Sequence, residues 1–255
     1  MGVEATYTRT VYNQLGYYAN WQAGSPLKLG DYGTVEGRWF QRIGNIKQLG
    51  LGTPGIVSGT RGVSKRFLSS GSLGIDVDAG AGGAIGPGAK VNGTLTVEFG
   101  TDDSVFFNAI DYAESMIDDL KALQDAVKNL GEKWDRNWAV VTRQIAATSY
   151  LSAVSKKAQA KIVFDATGKF AAIADLDDAT VKFAASTRKD VAFDDVQRDC
   201  VPLMGLHRLK RRFFNIAGPS GLSPLVARFA LRGASQPQIN PTTTKRVAVD
   251  SLEEI

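Results

Sequence analysis

Two hydrophobic periods divide this chain. In Leu95-Thr96-Val97-Glu98-Phe99 apolar and polar residues alternate, the period of a half-buried strand. Ile75, Val77 and Ala79 alternate with Asp76 and Asp78 in the same way. Between these runs lie Gly80, Gly82, Gly83, Gly86, Pro87 and Gly88, residues that break or bend a strand. From residue 104 to 130 the period changes. Phe106, Ile110, Ala113, Ile117 and Leu120 recur at spacings of three and four, joined by Leu123, Val127 and Leu130. That stripe predicts one long amphipathic helix, capped by Asp102, Asp103 or Ser104 and stopped by Gly131. After Trp134 and Trp138 the strand pattern returns and continues to Lys182. The expectation is a single helix set between two long β-hairpins.

Upstream, residues 7–18 are rich in Tyr, Thr and Val and predict a strand or an aromatic-rich edge. Gly30 and Gly33 bracket an expected tight turn. Trp39, Phe40 and Ile43 are expected to anchor the next segment in the core. Residues 49–62 alternate Gly with Leu, Ile and Val and predict a mobile loop. Downstream, residues 139–148 predict a buried strand, 150–160 a strand or turn, 160–166 another strand, and 170–183 further short strands. Residues 165–169 and 175–178 have turn chemistry. Val191, Phe193 and Val196, then residues 201–209, close the folded part.

Beyond Phe214 prolines punctuate the chain at 219, 224, 237 and 241. The predicted division is therefore residues 1–214 as one α+β domain and 215–255 as a C-terminal tail. Pro224 suits the first turn of a short helix, with Leu225, Val226 and Phe229 on one face. Such a helix is too short to hold alone in water, so its apolar face must dock. Val247 and Val249 alternate with polar residues and predict an edge strand before the acidic Glu253 and Glu254. The fold class read from these patterns is α+β: a twisted, mostly antiparallel sheet with long hairpins, one long amphipathic helix and a short tail.

Charge adds a candidate surface. The net charge of +4 and pI of about 9.1 suit an anionic partner. The cations concentrate in Arg208-Leu209-Lys210-Arg211-Arg212-Phe213-Phe214. Cations beside aromatics suit phosphate surfaces, either anionic membrane lipids or nucleic acid. The plainer reading is a solvated basic face. A single cysteine, Cys200, rules out an intramolecular disulfide and a thiolate zinc cluster and agrees with a cytoplasmic setting. The first residues show no apolar stretch of a secretory signal, and Gly2 with Thr6 fits the loose myristoylation pattern. No run of about 18 apolar residues exists. A membrane role would then need an interfacial helix or a β-barrel.

Tests for catalytic motifs fail. A P-loop from Gly83 has its second glycine at Gly88, but Ala89 follows where lysine is required, and Val91 follows Lys90. The dinucleotide pattern from Gly80 and Gly82 fails at Ile85. His207 is the single histidine and has no carboxylate beside it in sequence, so a catalytic or metal-binding role for it is not expected. Cys200 lies near it in sequence, which is not the geometry of a dyad. Asp175, Asp177, Asp178, Asp194 and Asp195 lack the spacing of a calcium loop and read as solvated turns. No cofactor, no metal and no enzymatic activity are expected.

The order of elements resembles the pore-forming domain of gasdermins. Residues 71–95 are similar to the first inserting hairpin of that family, with small, alternating, weakly apolar residues. Residues 104–130 look like the helix that follows. Gly131-Glu132 and Trp138-Ala139-Val140-Val141-Thr142 resemble the entry to the second hairpin, here residues 146–183. Residues 190–209 resemble the closing strand. Two features depart from the family: no large repressor domain like that of animal members, and no cysteine near the N-terminus of the kind that bacterial members acylate. The short tail resembles the bacterial plan.

That resemblance implies an autoinhibited, cytoplasmic protein that moves to a membrane once its tail is released, with a protease as activator. It would then oligomerise into a β-barrel, in the service of cell death or antiviral defence. The residues expected to face lipid are Ile75, Val77, Leu95, Val97, Ile162 and Phe164. Those expected to meet lipid headgroups are Arg208, Lys210, Arg211 and Arg212. Those expected to restrain the closed form are Leu225, Val226 and Phe229. The alternatives are a β-rich structural homo-oligomer without membrane activity and a basic nucleic-acid-binding module.

Overall fold

The computed structural model describes residues 2–69, 77–79, 90–169, 182–216 and 245–254. The chain opens with helix α1 (Val3–Leu15), which corrects the strand expected over residues 7–18. Tyr7 and Val11, one turn apart, bury one side of it with Thr6 and Thr8, and the Thr8 hydroxyl donates to the Glu4 carbonyl at 2.9 Å. Packing of that face outweighs the weak helix propensity of Tyr, Thr and Val. Gly16 stops the helix at φ 72, its N–H donating to the Tyr12 carbonyl. The only strand there is β1 (Tyr18–Ala19).

β2 (Asp31–Glu36) and β3 (Trp39–Asn45) form a hairpin. Gly30 turns the chain into β2 at φ 82. Gly33 instead lies inside the strand, where a Cβ would stand 1.9 Å from the Gln41 carbonyl oxygen. Phe40 is buried as expected, but Ile43 is 49% exposed and anchors nothing. Much of the segment expected as a loop is strand β4 (Ile56–Leu68), which pairs along its length with β7 (Val105–Ile117).

β7 overturns the long helix expected over residues 104–130. Every residue from Val105 to Ile110 is buried, because the strand is packed on both faces. A strand covered on both sides loses its alternation and reads as a continuous apolar run. The spacing of four from Phe106 to Ile110 belongs to one face of a strand as well as to one face of a helix. Only the second half of the predicted stripe is helical, α2 (Leu120–Asn129), burying Leu123 and Val127. Its cap is Asp119, whose side chain accepts from the Ala122 N–H at 2.8 Å.

β8 (Ala139–Ser155) is the centre of an eight-stranded sheet. β11 (Val191–Ile216) runs along one edge of β8, while β7 and β2 share the other. β1 and β12 (Lys245–Glu254) pair with the far side of β11. β11 ends at Ile216, beside Asn215, and a strand is present around Val247 and Val249. A second sheet holds β5 (Val77–Ala79), β6 (Lys90–Glu98), β9 (Lys161–Lys169) and β10 (Lys182–Lys189) in the order β10-β9-β6-β5. Residues 165–169, expected as a turn, belong to β9, because Asp165 and Thr167 alternate outward around the buried Ala166.

The large sheet is covered on both faces. α1 packs on one side through Tyr7 and Val11 against Phe107, Tyr150 and Cys200, and the Tyr7 and Tyr150 hydroxyls are hydrogen-bonded to each other. On the other side the small sheet packs Leu95, Val97, Ile162 and Phe164 against Phe106, Ile110, Leu151 and Ala153. A third cluster joins α2, Trp134 and Tyr32 to the start of β8.

Candidate functional site

The small sheet has an apolar and a polar face. Leu95 stands opposite Phe164, and Val97 opposite Ile162; all four are fully buried against the large sheet. On the other face Glu98 pairs with Lys161 at 3.1 Å, and Thr94 stands opposite the exposed Asp165. Period two thus gives a sheet whose two faces suit two different media. Val77 on β5 holds the register position opposite Leu95. Ile75 lies outside the described residues, as do Leu225, Val226 and Phe229 of the expected latch.

The strand order of the small sheet repeats that of the large one. β4, β7, β8 and β11 lie side by side in the large sheet, and β5, β6, β9 and β10 lie side by side in the small one. β6 runs into β7, β8 into β9, and β10 into β11. The central register is common to both sheets. Glu98 pairs with Lys161 and Val105 with Val154, so seven positions separate the two pairs on each strand. Backbone bonds bridge the gap, from the Phe99 N–H to the Ala160 carbonyl and from the Ser155 N–H to the Ser104 carbonyl, both 2.9 Å. Along the central strands, β6 into β7 and β8 into β9, the two sheets form one antiparallel ribbon folded over at a corner.

The basic strand is the far half of β11. Arg208, Lys210, Arg211 and Arg212 occupy register positions along β12, with Glu253 opposite Arg208 and Asp250 opposite Arg211. Arg208 Nε is buried and has no hydrogen-bond partner among the described residues. The far end of β12 carries Lys245 and Arg246, which pair with Ile216 and Asn215 rather than with the basic run. The antiparallel direction of β12 thus brings its acids, and not its bases, to the cationic stretch.

The sequence candidates for chemistry fall apart in space. The His207 Nδ1 and the Thr142 hydroxyl are hydrogen-bonded at 2.7 Å. Cys200 lies seven residues away along β11, roughly 20 Å at the rise of a strand. Burial pushes its thiol up to about 12, reinforced by Asp195 and Asp199. Asp194 accepts from Arg188 Nη2 at 2.8 Å, and Asp195 from Gln197 Nε2 at 2.7 Å, which ties both to their neighbours. Asp175, Asp177 and Asp178 lie outside the described residues. Among the described residues no three His, Cys, Asp or Glu side chains converge to hold a metal ion. Among them, too, no helix is long and apolar enough to cross a membrane, which leaves crossing by strands open.

Sequence reasoning missed the corner itself. Asp103, Gln159 and Asp190 carry left-handed backbone at φ 55, 61 and 54, one at each described turn between the sheets. No local pattern marks them, because Asp and Gln are common in ordinary loops. Sequence reasoning also missed Glu114, a nearly buried carboxylate that accepts from the Tyr17 hydroxyl at 2.8 Å and faces Arg143 Nε at 3.3 Å. The helical reading of residues 104–130 hid it, since a charge on an amphipathic helix is expected outside. Compared with family models and with curated proteins, the sequence matches none of either.

Proposed function

We propose that the chain is a gasdermin-like pore former, here in its closed state, that assembles on membranes by extending its two folded-over hairpins. The observation that carries this reading is the shared strand order and unbroken central register of the two sheets. Straightening the corner would lengthen four paired strands without exchanging the partners of β6–β9 or β7–β8. Hydrogen bonds of the ribbon would survive the change, as passage into lipid demands. The face holding Leu95, Val97, Ile162 and Phe164 would exchange the large sheet for lipid tails, and the face holding Glu98 and Asp165 would line the lumen. Closure of many copies into a barrel would remove the exposed strand edges.

Arg208, Lys210, Arg211 and Arg212 serve in this reading to bind anionic lipid headgroups, and the tail restrains the closed form. The β12 pairing supports the second role, since β12 lies along the same cationic stretch. The test is release of a dye from anionic liposomes by the full chain and by a chain ended near Asn215. Leakage only after truncation is expected. A truncated chain that stays folded but releases no dye would sink the proposal. A structural homo-oligomer is favoured by one observation: among the described residues β4 pairs on one side only, and its Ile56 and Val63 are more than half exposed. That reading predicts assembly in solution without leakage.

A further inference from the structure

Two opposed features meet at the corner between the sheets. The first is backbone strain. Five non-glycine residues have left-handed backbone among the described residues, and they fall on two lines across the strands. Asp103, Gln159 and Asp190 lie on the corner line, in the turns from β6 to β7, β8 to β9 and β10 to β11. Asp111 and Asp199 lie on the second line, flanking Thr148 of β8 on either side. Residues with a Cβ enter this region at a cost, which is small for Asp and larger for Gln. Extended backbone would relieve Asp103, Gln159 and Asp190, whereas Asp111 and Asp199 are left-handed inside strands β7 and β11 themselves.

The second feature is a hydroxyl clasp. Ser104 and Ser155 are buried at the corner. The Ser155 hydroxyl accepts from the Ser104 N–H at 2.8 Å and donates to the Thr101 carbonyl at 2.9 Å. The Ser104 hydroxyl donates to the same carbonyl at 2.8 Å. The Lys156 N–H donates to the Asp190 carbonyl at 2.7 Å, and the Ala158 N–H to Asp102 Oδ1 at 2.5 Å. These bonds join the three turns side by side, so that one turn does not open alone. With the packing of the small sheet, they hold the strained backbone in place.

We infer that this corner is a cocked hinge, in which Asp103, Gln159 and Asp190 store strain that favours extension and the Ser104–Ser155–Thr101 clasp opposes it. The inference deepens the pore-forming reading and rests on it. The bent and extended states differ at these positions by backbone region alone, so substitutions there act with a known sign. Glycine removes the left-handed cost and stabilises the bent state. A β-branched residue raises that cost and favours the extended state. Loss of the clasp also favours extension.

The experiment compares four full-length proteins, each with a protease site placed within residues 217–244 and cut before vesicles are added: the parent, the triple variant Asp103→Gly, Gln159→Gly and Asp190→Gly, the single variant Gln159→Val, and Ser155→Ala. Each is tested for its denaturation midpoint in solution and its rate of dye release from vesicles of phosphatidylglycerol and phosphatidylcholine. The triple glycine variant should be more stable and slower, by about fivefold or less at Asp103 and Asp190, where the left-handed cost is small, and by more at Gln159. Gln159→Val and Ser155→Ala should be less stable in solution yet faster on vesicles. Straightening is read separately by energy transfer between dyes at Arg136→Cys and Asp165→Cys on the same chain, whose separation should grow on vesicles. A glycine variant no more stable than the parent overturns the stored strain. A stabilised variant with unchanged release and unchanged dye separation overturns the hinge. Vesicle-bound parent whose dyes separate but whose vesicles stay sealed overturns the pore reading and leaves the hinge standing. Parent that neither binds nor straightens overturns both, and its glycine variant still reports the strain.

Discussion

Leu95 on β6 stands directly opposite Phe164 on β9, and solvent reaches neither side chain. The Phe164 ring lies 6.5 Å from that of Phe106 on the large sheet. The pair is thus part of a core in the closed state and part of the proposed lipid face in the open one. One set of side chains serves both media because each asks only for apolarity.

The first prediction follows from that double duty. Leu95→Ala should cost about 2–5 kcal/mol and Phe164→Ala about 3–5 kcal/mol of folding stability, by denaturant titration. Val97→Asp should abolish leakage, yet it also buries a charge in the closed core, so it is decisive only where the variant still folds. The contrast is Asp165→Lys on the polar face, which should leave both folding and leakage near the parent level. In the open state a cation on the lipid face would cost about 2–4 kcal/mol near the midplane, and on the lumen face little. Equal leakage from variants of the two faces would argue against the assignment of faces.

Asp195 offers a test by pH. Burial raises its carboxyl above the ordinary carboxylate value, Asp194 adds to the rise, and bonds from Gln197 and the Ala23 N–H oppose it. A raised value in the folded state means that folding favours the protonated form. Its contribution to stability is therefore full below the unfolded value, about 3.9, and is lost as pH rises through the folded value. At pH 7 the ionised carboxylate destabilises. Asp195→Asn keeps an oxygen for Gln197 and cannot ionise. Its denaturation midpoint should exceed the parent's at pH 7, and the gap should close as pH falls below about 4. A lower midpoint at pH 7 would show that the charge is favourable there.

Much of the ribbon was legible in the sequence, and the corner was not. The alternation at Leu95-Thr96-Val97-Glu98-Phe99 predicts β6 and its buried face, because the small sheet is covered on one side only. The same rule fails at Val105–Ile117, where α1 on one face and the small sheet on the other erase the alternation. Helix α1 is hidden for a different reason: Tyr7 and Val11 are poor helix formers held by distant partners such as Tyr150. The basic run and the acidic end of the tail are plain in sequence. Their juxtaposition is not, because residues 207 and 254 meet only through strand pairing.

The basic strand gives the third prediction. With Arg208, Lys210, Arg211 and Arg212 all replaced by Gln, a truncated chain should sediment less with anionic liposomes at low salt. Each cation near such a surface is worth about 1 kcal/mol. The loss should fade at about 1 M salt, where the screening length falls to roughly 3 Å. In the full chain the same substitutions should matter less, because Glu253 and Asp250 stand opposite Arg208 and Arg211. Unchanged sedimentation of the truncated variant would return the cluster to an ordinary solvated face.

The fourth prediction locks the tail without removing it. Leu209 on β11 stands directly opposite Leu252 on β12. Residues opposed in an antiparallel pair have Cα atoms about 4.5–5.5 Å apart, inside the range of about 4.4–6.8 Å that a disulfide spans. A chain carrying Leu209→Cys and Leu252→Cys should therefore close a crosslink under mild oxidation. The native Cys200 should not compete, because burial holds its thiol at about 12 and leaves almost no thiolate to react. With a protease site placed within residues 217–244, cutting the chain frees β12 in the reduced protein and leaves it tethered in the oxidised one. The oxidised, cut protein should stay silent on anionic liposomes, and adding reductant should start leakage. Reductant acts on the one new bond, so the same sample serves as its own folding control. Equal leakage before and after reduction would mean that the strands extend with β12 in place, and the restraint would then have to lie elsewhere in the tail.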